Sequence, residues 1–195
     1  MFAKIAEKFA NNLEENQIIK HDDRELYVYG FEQGISIVLN VITTLLIGLI
    51  FNTFFQLVIF MASYIPLRSF AGGYHAKTPL RCYIYSIIML ILVSVGMRYL
   101  FFVDMVYYVI LAISALIIFV LSPVEDKNKP LDKIELKVYR KRTLFILLAE
   151  LIICVLSNVI DLYAVFISIN YNLAVMSVII LLGMLKSKLS GLFLL

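Results

Sequence analysis

The chain has 195 residues, of which 62% are hydrophobic and only 16% are charged, and its formal net charge is +3 at pH 7. This composition excludes an ordinary soluble domain, in which about a quarter of the residues are charged. Uncharged stretches near the roughly 20 residues that cross a bilayer recur along the chain, so the sequence predicts an all-α integral membrane protein. The small positive charge fits attraction to anionic lipid better than binding to nucleic acid.

Residues 1–20 differ from the rest of the chain because their apolar side chains recur at helical spacing while polar side chains take the other face. The apolar positions are Phe2, Ile5, Ala6, Phe9 and Leu13. This pattern predicts an amphipathic helix that lies in the plane of the membrane interface.

Six spanning helices are predicted after this segment. Residues 33–67 contain no charged side chain, and their length suits a helical hairpin that turns at residues 51–53. Residues 83–121 hold the third and fourth spans, at 83–102 and 105–121. Residues 143–185 hold the fifth and sixth spans, at 143–160 and 163–185. The whole chain, 1–195, therefore reads as a single membrane domain with polar segments at 68–82 and 122–142.

The basic residues predict the orientation of these spans. Sixteen of the seventeen Lys and Arg residues lie before the first span, in the segments 68–82 and 122–142, or after the sixth span. An even number of spans places all of these regions on one face, and the positive-inside rule makes that face cytoplasmic. We therefore expect both termini and the two polar segments to be in the cytoplasm.

The segment 68–82 carries the residues with the most chemical interest. It holds one of two histidines, His75, and one of two cysteines, Cys82. A cytoplasmic thiol stays reduced, and a histidine within hydrogen-bonding reach turns it into a nucleophile. From these residue types alone, a packing cysteine and a solvated histidine are the commoner interpretation. Two side chains do not complete a tetrahedral metal site, so we expect no metal and no cofactor.

Two charged residues strengthen the catalytic interpretation. Glu32 stands at the mouth of the first span, where a carboxylate needs a partner and would hold His75 in one tautomer. Arg68 would bind a substrate carboxylate or support an oxyanion. Each also has a simpler explanation, as a charge that marks the interface or the cytoplasmic face. The other cysteine, Cys154, lies inside the fifth span and reads as a packing residue.

A different class of function remains open on other residues. Glu150 lies inside the fifth span, and Asn170 and Asn172 lie inside the sixth. Polar side chains at such depth mark transport pathways or helix contacts in many membrane proteins. The alternative prediction is therefore a multi-span transporter or a non-catalytic membrane scaffold that uses Glu150 and Asn170.

Two motifs resemble one known family. Residues 68–82 read RSFAGGYHAKTPLRC, and residues 122–131 read SPVEDKNKPL. The first resembles the signature of the accessory gene regulator B (AgrB) family, membrane endopeptidases of bacterial quorum sensing, with the arginine, glycines, histidine and cysteine at the family's spacing. The second resembles the proline-bracketed basic loop of that family. Length, the six-span plan and the polar N-terminal segment agree as well.

The resemblance implies a function and a set of roles. Cys82 matches the nucleophile and His75 the base, while Arg68 and Gly73 match positions needed for activity. Glu32 falls where some relatives carry glutamine, in which case orientation of His75 matters more than charge.

The resemblance also implies a cysteine endopeptidase of the bacterial cell membrane that acts as a homodimer. Its substrate would be an AgrD-like propeptide, cut to release a charged C-terminal tail and closed to a thiolactone or lactone. The basic residues of the segment 124–142 would then either fix the orientation of the protein in the membrane or bind the acidic tail of the propeptide.

Overall fold

The computed structural model of the chain describes residues 2–74, 76, 78–125 and 132–192. Within these ranges the chain forms seven α-helices and no β-strand. They are α1 (Phe2–Glu15), α2 (Arg24–Ile50), α3 (Phe54–Ala71), α4 (Pro79–Tyr99), α5 (Asp104–Leu121), α6 (Lys133–Val159) and α7 (Tyr163–Leu192). A single 3-10 turn, His21–Asp23, precedes α2.

The helices α2 to α7 are each long and apolar enough to cross a membrane, so the described chain contains six candidate spans. Large apolar side chains cover their outer faces; Ile50 is 76% exposed and Phe145 is 74% exposed. Such faces are costly in water and favourable against lipid tails. The prediction of an all-α, multi-pass membrane protein is therefore confirmed.

The N-terminal amphipathic helix is present as α1, which packs against the first part of α2. Ala6 and Ala10 are fully buried in this contact, and the rings of Phe9 and Phe31 lie 5.7 Å apart. Arg24 Nε donates a hydrogen bond of 2.8 Å to Asn11 Oδ1. The position of α1 at the membrane interface stays a prediction.

The hairpin between α2 and α3 turns where the sequence predicts it. Asn52 adopts a positive φ of 55°, and the Thr53 N–H donates to Gly48 O at 2.8 Å. A Cβ on Gly48 would stand 3.0 Å from Phe54 Cα, so this glycine allows the two helices to approach closely.

Helix α7 forms the centre of the bundle. It packs against α3, α5 and α6, and its residues Phe166, Leu173, Met176 and Ile180 are fully buried. Helix α4 packs mainly against α2 and meets α3 and α7 only lightly. This uneven packing leaves a gap between α4 and α7 at the end of the bundle where α3 and α5 finish.

The basic segment 122–142 differs from the sequence interpretation, which treated all of it as a loop. Its last part is helical, because α6 begins at Lys133, ten residues before the predicted span. Asp132 Oδ1 accepts hydrogen bonds from the N–H groups of Ile134 at 2.7 Å and Glu135 at 2.6 Å. Glu135 Oε2 in turn accepts from Asp132 N–H at 3.1 Å, which completes a capping box.

The segment 68–82 was predicted to be a loop, but only its middle part is non-helical. Helix α3 continues to Ala71 and α4 starts at Pro79, so residues 72–78 connect the two helices. Cys82 consequently lies in the first turns of α4 rather than in a loop.

Candidate active site

The connection between α3 and α4 begins with two glycines whose backbone angles other residues rarely adopt. Gly72 has a φ of 70° and Gly73 a φ of 115°. A Cβ on Gly72 would stand 2.1 Å from Val124 O, which no side chain tolerates. The backbone pairs here with the segment after α5, because Val124 N–H donates to Ala71 O at 2.9 Å and Gly73 N–H donates to Val124 O at 3.3 Å.

The same connection is fixed to α7. Tyr74 N–H donates to Ile179 O at 3.1 Å. A Cβ on Gly73 would stand 2.9 Å from Ile179 Cγ2, and a Cβ on Gly183 would stand 2.6 Å from the carbonyl carbon of Gly73. Gly73 is buried in this contact and is not among the residues that line the cavity described below. Its observed contribution is the close approach of the connection to α7.

Arg68 organises the connection from the last turn of α3. Its guanidinium donates hydrogen bonds to Gly72 O and to Tyr74 O. Two donors in a rigid plane hold these two carbonyls at a fixed separation. Arg68 also lines the cavity, where it is the one charged side chain among the described lining residues. Its predicted contact with substrate stays a prediction.

Cys82 is exposed, in contrast to the other cysteine. Its N–H donates to Thr78 O at 3.0 Å, and the Thr78 hydroxyl caps the helix by accepting from Arg81 N–H at 3.3 Å. Cys154 is fully buried in α6, with its sulfur 3.2 Å from Asn170 Nδ2. Of the two thiols, only that of Cys82 is open to a reacting molecule.

Cys82 opens into a cavity of about 770 Å³ between α3, α4 and α7. Helix α3 contributes Tyr64 and Arg68, and Tyr74 comes from the connection. At the mouth the rings of Tyr74 and Tyr85 lie 6.0 Å apart, and Lys186 Nζ lies 5.2 Å from the centre of the Tyr74 ring. The structure therefore brings Cys82 and Arg68 to one cavity.

Two predicted site residues, His75 and Glu32, remain untested as members of the site. His75 lies outside the described residues. Glu32 lies half-buried on α2, does not line the cavity, and has no hydrogen bond or ion pair to any residue that the structure describes. The contact between Glu32 and His75 stays a prediction.

A buried polar cluster joins α3, α6 and α7. The Asn172 side-chain amide donates to Ser63 Oγ at 2.7 Å and to Glu150 Oε2 at 3.0 Å, and Glu150 is only 5% exposed. The sequence singled out Glu150 and Asn172 but missed Ser63, which a hydropathy pattern does not distinguish. Asn170, predicted to act with Glu150, bonds to Cys154 instead.

The aromatic lining of the cavity was not predicted from the sequence either. Tyr64 precedes Arg68 by four residues, and Tyr85 follows Cys82 by three, so each pair shares a helix face. That spacing was the available signal. Tyr171, on α7, has no such neighbour among the predicted site residues.

The fold and this site define a class of protein: an all-α, multi-pass membrane protein with an exposed cysteine on the wall of an apolar cavity. The sequence profile of accessory gene regulator B matches residues 6–192. The chain therefore belongs to the AgrB family.

Curated relatives agree with this assignment. The chain is similar to AgrB-like protein 2 of Clostridium perfringens strain 13, with 32% identity over 162 residues that cover 78% of this chain and 73% of the relative. It is also similar to the accessory gene regulator protein B of Staphylococcus haemolyticus, with 27% identity over 148 residues, covering 75% and 78% respectively. No solved structure matches the chain significantly.

Proposed function

We propose that this protein is a membrane cysteine endopeptidase of peptide quorum sensing. It removes the C-terminal tail of an AgrD-like propeptide and promotes cyclisation of the signal segment to a thiolactone or lactone. The observation that carries the proposal is the exposed Cys82 thiol on the wall of a cavity of about 770 Å³ that it shares with Arg68. Membership of the AgrB family supports the substrate class.

The first step is acyl transfer to the enzyme. The Cys82 thiolate attacks the carbonyl carbon between signal segment and tail, and a carbon–sulfur bond forms. The carbon–nitrogen bond of the tetrahedral intermediate then breaks, and the nitrogen leaves as an amine after taking a proton from the His75 imidazolium. Cys82 lies in the N-terminal turns of α4, where the helix dipole favours negative charge.

The second step releases the enzyme. A cysteine thiol within the bound peptide, or a serine hydroxyl, loses its proton to His75 and attacks the thioester. Its new bond to the acyl carbon closes the ring, and the bond to Cys82 sulfur breaks. Exchange of one thioester for another gains little free energy, so water must be excluded and the internal thiol held close. The apolar lining of the cavity serves both needs.

The remaining residues position these groups. Arg68 holds the carbonyls of Gly72 and Tyr74, and its other N–H groups are the proposed partners of the oxyanion or of a substrate carboxylate. Gly73 lets the connection rest on α7. Glu32 is proposed to orient His75, and because Glu32 does not line the cavity, its action on Cys82 runs through His75.

The proposal includes a location and an assembly. The proposed location of the Cys82 end of the bundle is the cytoplasmic side of the bacterial cell membrane, and the basic residues of the polar segments support it. The substrate approaches along that surface, where its amphipathic leader and membrane lipid raise the local concentration. The enzyme is proposed to act as a homodimer, as the family resemblance implies.

The test is mass spectrometry of proteoliposomes that contain the protein and an AgrD-like propeptide. Wild type and Cys154→Ala should both release the tail fragment and the cyclic peptide. Cys82→Ala should release neither, because it lacks the nucleophile. Processing by Cys82→Ala would refute the mechanism.

A second candidate is a transporter or a membrane scaffold, and the buried cluster of Glu150, Asn172 and Ser63 is the observation that favours it. A transporter that uses the Glu150 proton should lose export of the cyclic peptide in Glu150→Gln and tolerate Cys82→Ser. The endopeptidase should show the opposite ranking. Both variants are measured for propeptide processing and for export of added cyclic peptide.

A further inference from the structure

The part of the cavity beside Cys82 that lies between α4 and α7 is called the wedge. The helices meet at its deep end, where a Cβ on Gly96 would stand 2.6 Å from the Tyr171 ring. Gly96 follows Cys82 by fourteen residues, which is about 21 Å along the helix axis. Towards Cys82 the cavity occupies the space between the two helices, where α4 packs mainly against α2 and the connection after α3 is bonded to α7.

The wedge changes in polarity along its length. At the mouth lie Cys82, Arg68 and Tyr74, with Lys186 close to the Tyr74 ring. The middle is lined by apolar side chains of both helices: Met89, Leu92, Val93, Ala174, Val175 and Val178. A peptide backbone placed there would lose its hydrogen bonds to water without replacement. The middle of the wedge therefore suits side chains and not backbone.

We infer that the wedge is a specificity subsite for the propeptide, and this inference rests on the proposed function. A bulky apolar side chain of the residue just before the scissile bond inserts between α4 and α7. This places the scissile carbonyl beside Cys82 and leaves the charged tail at the mouth, near Arg68 and Lys186. The wedge is continuous with the thiol, so a side chain on the acyl carbon's own residue reaches it directly.

Two α7 residues set the depth of the subsite. Ala174 and Val178 lie one turn apart on the face that lines the wedge. A phenylalanine at Val178 narrows the middle of the wedge, and one at Ala174, a turn further from the mouth, shortens it. Val155 offers a matched control, because it is 42% exposed on α6 against 54% for Val178 and does not line the wedge.

The experiment measures kcat/KM in proteoliposomes for propeptides with Ala, Leu, Phe or Lys just before the scissile bond. Wild type should prefer Leu and Phe, and should process the Lys peptide least. Val178→Phe and Ala174→Phe should lower kcat/KM for the Phe peptide by about tenfold or more, while the Ala peptide changes by no more than about twofold. Val155→Phe should keep the wild-type order. Equal loss on all four peptides, or no difference between Val178→Phe and Val155→Phe, would overturn the subsite.

A crosslinking measurement separates this inference from the proposed function. A propeptide with benzoylphenylalanine before the scissile bond is irradiated with Cys82→Ala protein in liposomes, which needs no catalysis. Crosslinks to residues 85–93 and 174–182 support the subsite, and crosslinks elsewhere refute it. A photoactivatable lipid is tested in the same way. If it still crosslinks to residues 85–93 and 174–182 at saturating peptide, the wedge is a lipid cleft and the subsite is refuted. If wild type does not cleave the propeptide, or cleaves it no faster than Cys82→Ala does, the proposed function is refuted while the crosslinking result still stands.

Discussion

At the scale of single residues, the site depends on two glycines, whose lack of a Cβ atom lets the backbone pass close to its neighbours. Gly72 and Gly73 combine positive φ angles with contacts closer than any side chain permits, against Val124 O and against α7. Arg68 supplies the donors for the carbonyls that this path exposes. The geometry of the connection therefore follows from three residues within six positions, and each has a different physical task.

Gly72→Ala should destabilise the protein. The added Cβ would overlap Val124 O, and alanine disfavours a φ of 70°, so we expect a loss of about 1–3 kcal/mol. Gly34→Ala is the control, because a Cβ at Gly34 meets nothing within 4 Å and alanine favours a helix. Thermal unfolding in detergent measures both. Equal melting temperatures for the two variants would contradict the prediction.

Arg68→Lys should lower processing by about tenfold or more while the protein still inserts into the membrane. A lysine ammonium is a single point and does not reproduce the planar pair of donors to Gly72 O and Tyr74 O. Arg98→Lys, near the far end of α4, should leave processing unchanged. Tail release per amount of membrane protein is the readout, and wild-type release by Arg68→Lys would count against the positioning role.

At the scale of elements, the start of α6 illustrates how a short motif extends a helix. The capping box of Asp132 and Glu135 starts the helix ten residues before the apolar span. The side chains that follow are then held on a rigid element. Arg140 lies 5.3 Å from the Phe119 ring, and Arg142 lies 4.9 Å from the Phe70 ring. The basic segment is thereby packed against α5 and α3.

Asp132→Ala should loosen this first part of α6. Loss of the cap costs about 1 kcal/mol and should increase amide hydrogen exchange at residues 133–142 by a few-fold. Asp132→Asn keeps a side-chain oxygen for the cap and should exchange almost as slowly as wild type. Identical exchange in wild type and Asp132→Ala would show that packing, and not the cap, holds the segment.

At the scale of the whole molecule, the cluster of Ser63, Glu150 and Asn172 ties together α3, α6 and α7, of which α3 and α7 line the cavity. Ser63 precedes Tyr64 and Asn172 follows Tyr171, so two members of the cluster are the sequence neighbours of residues that line the cavity. The cluster therefore links the core of the bundle to the wall of the site.

Asn172→Ala should destabilise the bundle by about 1–3 kcal/mol, because buried Glu150 Oε2 and half-buried Ser63 Oγ both lose their donor. Asn158→Ala removes a single half-buried bond to the Tyr108 hydroxyl and should cost less. Thermal unfolding in detergent compares the two. A larger loss in Asn158→Ala would refute the assigned role of the cluster.

The sequence by itself determined the class of the protein, the number of candidate spans and the N-terminal helix, although α2 begins nine residues before the uncharged stretch that starts at residue 33. It also singled out Cys82 as a candidate nucleophile. These follow from local properties: apolar length, helical periodicity, and a thiol in a polar gap with the spacing of a known family. The early start of α6 was missed because its cap lies in a charged stretch, where hydropathy gives no signal.

The tertiary structure decided the rest. It exposed Cys82 and buried Cys154, joined Arg68 to two backbone carbonyls, and opened an apolar wedge between α4 and α7. The physical reason is that burial and cavity shape depend on how separate helices pack. Helix α4 packs mainly against α2 rather than α7, and no residue within α4 alone specifies that packing partner.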